Sequence, residues 1–136
     1  MPPDHKVVFV CPHGAAKSVI AATYFQRLAE RRGLPVAAAA AGTDPDPEVS
    51  PQAAAGLLAE GIDVRGYRPR RVTREELVTA RRVVSLGCEP GELLAPGVTV
   101  DRWDDVPPVS EGFGAASAAI ARRVERLVDE VAQAAG

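Results

Sequence analysis

Four consecutive apolar residues, Val7-Val8-Phe9-Val10, run directly into Cys11-Pro12-His13-Gly14-Ala15-Ala16-Lys17-Ser18, and a helical pattern starts at Ser18. A β-branched and aromatic run without polar alternation suits a strand covered on both faces, as in a parallel sheet. Ile20, Phe25, Leu28 and Ala29 then recur near helical spacing, and Gly33 and Pro35 close the segment. A buried strand, a glycine-bearing loop and a helix in immediate succession are the opening of an α/β layer structure, and they leave few other folds open.

The remainder of the chain continues that alternation. Val36–Ala41 is a short apolar run before Gly42 and predicts a second strand; Thr43–Pro51 is a loop dense in Asp and Pro. Ser50 is placed to cap a helix with Pro51 at its first position and Gly61 as its stop. Thr73 followed by Glu76 makes a capping box for a short helix toward Ala80, and Arg82–Leu86 reads as a third buried strand. Val98–Val100 predicts a fourth strand and Arg102–Gly114 an irregular polar loop. Ala115–Ala135 predicts a long amphipathic helix with Ile120, Val124, Leu127 and Val131 on one face. These elements predict an α/β fold: a doubly wound, four-stranded parallel sheet with helices on both faces, a Rossmann-like three-layer arrangement. The 136 residues suffice for one such domain, and we expect residues 1–136 to form a single one. Ligands of such sheets bind beyond the carboxyl ends of the strands, where the loop after the first strand lies.

Charge narrows the partners. Sixteen basic against eighteen acidic residues, net −2, supply no general attraction to nucleic acid or anionic lipid, so neither is expected as a partner. The cluster Arg65, Arg68, Arg70 and Arg71 either edges an anion site or is a solvated face. No apolar run reaches the ~20 residues of a membrane span. The polar Met1–Lys6 stretch lacks a secretory core, which points to the cytoplasm, where the two cysteines, Cys11 and Cys88, are not expected to form a structural disulfide. Two histidines without ligand spacing make no metal site, and no cofactor is implied.

The loop Cys11–Ser18 joins a buried strand to a helix N-terminus, so its later amides can converge on an anion with the helix dipole behind them. The same field, with the charge of Lys17, favours the thiolate at Cys11. On this reading the Cys11 sulfur attacks phosphorus or arsenic held in the loop, and the Ser18 hydroxyl donates a hydrogen bond that steadies it. The alternative is a Cys that is simply a small buried apolar side chain at a strand end. Tyr67 and Trp103 either flank the mouth of the site or cover core edges.

C-x5-K-S after a first strand resembles the C-x5-R-S signature of low-molecular-weight tyrosine phosphatases and thioredoxin-coupled arsenate reductases. Ala41-Gly42-Thr43 resembles that family's S-A-G-T, Gly61-Ile62-Asp63 its G-I-D, and Arg81–Leu86 its third strand, so the likeness spans nearly the whole chain. The resemblance implies the phosphotyrosine phosphatase I-like fold and an anion loop formed by Pro12, His13, Gly14, Ala15, Ala16, Lys17 and Ser18. It further implies Cys11 as nucleophile and a general acid in a late loop, where the family carries Asp-Pro. Trp103-Asp104-Asp105-Val106-Pro107 stands there, which makes Asp105, or else Asp104, the candidate acid. In the arsenate reductases a further cysteine attacks the first, and Cys88 lies near that place.

Several positions depart from the family. Lys17 replaces a forked guanidinium by a compact charge, and Pro12 removes a backbone donor. At roughly 1.5–3 kcal/mol per lost contact, turnover falls by a few orders of magnitude. Gly14 stands for a left-handed Asn, His13 for a Gly, and Ala16 for a second Cys; His13 either adds a donor beside the anion or is a solvated loop residue. Three readings follow: a phosphatase acting on phosphotyrosine, a phosphotyrosine protein included, or on small aryl phosphates, through a phosphocysteine intermediate; an arsenate reductase using Cys11 and Cys88; or a non-catalytic module for phosphate or another tetrahedral oxyanion.

Overall fold

The computed structural model describes residues 6–87 and 100–135. Four strands, β1 (Lys6–Cys11), β2 (Ala37–Gly42), β3 (Arg82–Ser85) and β4 (Val100–Arg102), form one parallel sheet in the order β2-β1-β3-β4. The apolar run of β1 is central for a physical reason. Its residues Val7, Val8, Phe9 and Val10 are fully buried, and it is hydrogen-bonded along both edges, with Val8 opposite Ala39 on one side and Val83 on the other.

Strand alternation sorts these side chains to two faces. Val7 and Phe9 join a large core built by α1 (Lys17–Arg31), α2 (Pro51–Ala59) and α4 (Phe113–Ala135), through Ile20, Phe25, Leu57, Ile120 and Val128. Val8 and Val10 meet Val72, Val83 and Leu77 of α3 (Arg74–Thr79) on the opposite face. Helices thus cover both faces, as the sequence pattern predicts, but unequally: three on one side and one short helix on the other.

Local signals explain the element ends. The Ser50 hydroxyl accepts the Ala53 amide at the start of α2, with Pro51 in the first helical position. At α3 both halves of the Thr73–Glu76 capping box are present. Most expected bounds hold to within one residue, as β2 at Ala37–Gly42 and β3 at Arg82–Ser85 do, and larger shifts fall in the last third of the chain. β4 is described at Val100–Arg102, two residues past the expected end at Val100, because Val100, Asp101 and Arg102 stand opposite Val83, Val84 and Ser85; positions 98 and 99 lie outside the described residues. The segment expected to be wholly irregular contains a 3-10 turn at Val109–Glu111, and α4 begins at Phe113. No helix among the described residues is long and apolar enough to cross a membrane.

Candidate active site

The chain reverses its direction across the sheet between β1 and β3, and a cavity of about 330 Å³ opens at the carboxyl ends of those two strands. Cys11 closes β1 and Leu86 and Gly87 follow β3; all three line the cavity. A hollow of about 540 Å³ beside β2 is larger, but it holds no nucleophile.

The loop after Cys11 is shaped by its neighbours. The carbonyls of Pro12, His13 and Ala15 accept the amides of Asp44 (2.7 Å), Asp46 (3.0 Å) and Ser50 (2.8 Å). Every peptide here is trans, so each carbonyl points opposite to the N–H of the next residue. Turning those three carbonyls onto segment 43–50 therefore turns the amides of His13, Gly14 and Ala16 away from that segment. The first amides of α1 are free of intrahelical partners and continue that row. Gly14 adopts φ +60°, and a Cβ there would lie 2.8 Å from the Gly42 nitrogen; a Cβ on Gly42 would lie 2.6 Å from the Gly14 nitrogen. Only glycines permit this approach.

At the floor, the Cys11 thiol donates to the Ser18 hydroxyl across 3.0 Å, and both residues are buried. A hydroxyl rotor can reverse that bond, so Ser18 can equally donate to a thiolate. The Lys17 ammonium lies at the rim and donates to the Val106 carbonyl at 2.9 Å, which ties the start of α1 to the segment 103–112. His13 is exposed on the other wall, with Nδ1 3.3 Å from both the Asp46 carboxylate and the Asp44 carbonyl.

The structure thus gathers Cys11, Pro12, His13, Ala15, Ala16 and Lys17 around one cavity, with Ser18 behind the sulfur and Gly14 buried in the loop. Asp104 and Asp105 do not line it; the late segment contributes Pro108, Val109 and Ser110. Asp105 accepts a 2.6 Å bond from Arg123, which holds its carboxyl below the usual carboxylate range. Trp103 is core, tilted at 59° against Phe9, and the half-buried Tyr67 donates to the Ala40 carbonyl, so neither flanks the cavity. In the arginine cluster, Arg65 pairs with Asp63, Arg70 with Glu76, and Arg71 donates to the Thr43 carbonyl. Cys88 lies outside the described residues. Asp46 and Ser110 carry no motif that singles them out in the sequence; only the folded proximity of two loops reveals them.

A family model, "Low molecular weight phosphotyrosine protein phosphatase", matches residues 6–99. The chain belongs to this family. A putative arsenate reductase of Halobacterium salinarum is 33% identical over 100 residues, which make up 72% of this chain and 70% of that protein. Among solved structures, YfkJ from Bacillus subtilis superposes with a TM-score of 0.81 at 21% identity, covering 94% of each chain. Vibrio vulnificus Wzb in complex with benzylphosphonate superposes with a TM-score of 0.74 at 17% identity, covering 92% of this chain and 97% of that one. The fold is therefore that of the low-molecular-weight phosphatases, and the family holds both tyrosine phosphatases and arsenate reductases.

Proposed function

We propose that this member of the family is a cysteine-dependent phosphatase acting on aryl phosphates, phosphotyrosine among them, with Cys11 as nucleophile. The observation that carries the reading is the 3.0 Å pairing of Cys11 with Ser18 at the floor of a loop whose carbonyls are turned away from it. Amides turned away from segment 43–50 and a helix N-terminus suit a dianionic phosphoryl group, and they favour charge that develops on its oxygens during transfer. The Cys11 thiolate attacks phosphorus, the ester oxygen departs, and water then cleaves the phosphocysteine. Ser18 steadies the sulfur and Lys17 adds charge at the rim. Of the two late-loop carboxylates, Asp105 is the poorer proton donor because Arg123 favours its ionised form. Oxyanion binding also draws support from the phosphonate bound by the Vibrio structure.

The test is hydrolysis of p-nitrophenyl phosphate by the wild type and by Cys11→Ser, with phosphate binding followed by calorimetry. The wild type should release nitrophenol and the variant should not. Phosphate binding without Cys11-dependent release would instead favour the oxyanion-binding module. The 33% identical relative supports a second reading, arsenate reduction through Cys11 and Cys88. It requires that Cys88→Ser stop arsenate turnover under thiol recycling while leaving ester hydrolysis intact.

A further inference from the structure

The cavity holds few groups able to move a proton. Among the described residues that line it, the titratable ones are Cys11, His13, Lys17 and Asp46. Cys11 is the nucleophile in the reading above, and the Lys17 ammonium is engaged by the Val106 carbonyl. The late segment offers no carboxylate to the lining, and Asp105 is turned to Arg123. The oxide of an unactivated phenol is a strong enough base to need a proton, and among the described lining residues His13 and Asp46 are left to supply it.

We propose that His13, oriented by Asp46, is the proton donor to the leaving oxygen at the Cys11 cavity. This rests on the phosphatase reading. Asp46 grips His13 twice: its amide donates to the His13 carbonyl at 3.0 Å, and its carboxylate lies 3.3 Å from Nδ1. The other neighbour of Nδ1 is the Asp44 carbonyl, also at 3.3 Å. Both neighbours are acceptors, so the tautomer with its proton on Nδ1 satisfies both of them. That tautomer leaves Nε2 to exchange protons, the division of labour that a carboxylate imposes on a catalytic imidazole.

The steps balance. Cys11 Sγ forms the S–P bond as the P–O ester bond breaks, and the departing oxygen takes the Nε2 proton of the imidazolium, leaving phenol and neutral imidazole. Water then attacks phosphorus and gives a proton to Nε2. The S–P bond breaks, the pair returns to sulfur, and phosphate and imidazolium result. Asp46 acts through His13 and is a positioning residue.

Two esters separate this role from a structural one. Nitrophenolate departs without a proton, whereas the oxygen of phenyl phosphate does not depart readily without one. His13→Gln should lower kcat on phenyl phosphate by about 10²–10³-fold and on p-nitrophenyl phosphate by no more than about tenfold. Asp46→Asn should show the same selectivity at about tenfold on phenyl phosphate. Equal losses on both esters would overturn the proposal, as would selective loss in Asp104→Asn or Asp105→Asn with His13→Gln unselective. Were the wild type to release no more nitrophenol than Cys11→Ser, the phosphatase reading would fail and the donor role with it; Cys11-dependent release without selectivity sinks the donor alone.

Discussion

Segment 42–50 is joined to the Cys11 loop by three main-chain hydrogen bonds and a glycine-on-glycine contact, whereas segment 103–112, on the other side of the cavity, meets that loop through the Lys17 side chain. The three main-chain bonds of the first wall use groups that nearly every residue possesses, so the loop's path there depends on the backbone and on the absence of a Cβ at two positions, with the His13–Asp46 contact added to them. The second wall is anchored below by the buried Trp103, Val106 and Val109, but its link to the loop ends in one long, flexible side chain. Main-chain stitching fixes where the amides point, and that is the part of the site that cannot drift. Side-chain tethering leaves the facing wall more open to substitution, and this is the wall where the resemblance places the family's Asp-Pro and this chain carries Asp104-Asp105-Val106-Pro107.

Gly42→Ala attacks the first wall directly and should have the largest effect. The new Cβ would lie 2.6 Å from the Gly14 nitrogen and 2.7 Å from the His13 carbonyl carbon, both backbone atoms that no rotamer can move aside. We expect a loss of roughly 2–3 kcal/mol, which for a domain of this size lowers the melting temperature by on the order of 10 °C. Ester hydrolysis should fall with it. Gly114→Ala is the control: nothing lies within 4 Å of its Cβ, and a helical Ala should be neutral or stabilise by up to about 1 kcal/mol. A Gly42→Ala protein melting alongside the control would show that the two loops are not interlocked.

Lys17→Met tests the second wall. It removes the bond to the Val106 carbonyl and the rim charge but leaves the main-chain stitching in place. Its melting temperature should fall less than that of Gly42→Ala, while phosphate affinity in calorimetry should weaken about tenfold or more. Lys17→Arg, with a planar fork of donors, should tighten phosphate binding severalfold. Unchanged affinity in Lys17→Met would reduce the ammonium to a tether between α1 and Val106.

The same contrast governs what could be read in the sequence. Elements fixed by short-range chemistry were legible: the apolar run of β1, the Ser50 cap and the Thr73–Glu76 capping box all stand where the pattern puts them. The end of β4 was missed: the strand runs past Val100 to Asp101 and Arg102 because it is set there by pairing and charge, not by an apolar run. Its Asp101 is held by Arg82, nineteen positions away, and the strand presents no continuous apolar signal. The candidate site divides likewise. Cys11, Ser18 and the glycine at position 14 belong to one contiguous motif. The Lys17–Val106 link spans eighty-nine positions, and the His13–Asp46 pair joins two loops. No local spacing encodes either: the first needs β3 and β4 beside β1, and the second needs β2 beside β1.

The smallest effect is expected at the far edge of the second wall, where Arg123 both pairs with Asp105 at 2.6 Å and lies 5.9 Å over the Trp103 ring. The two contacts separate by pH. Arg123 holds the Asp105 carboxyl below its ordinary value, so the pair stabilises the fold above the unfolded carboxylate range, near pH ~4, and that contribution disappears as pH falls through the lower folded value. The contact with the indole does not titrate there. Arg123→Met should therefore lower the melting temperature slightly at pH ~7, by less at pH ~2, and the residue that persists in acid belongs to Trp103. Asp105→Asn should reproduce only the part that vanishes. A difference between wild type and Arg123→Met that stays constant across that range would mean the ion pair contributes nothing and that the loss belongs to the contact of Arg123 with Trp103.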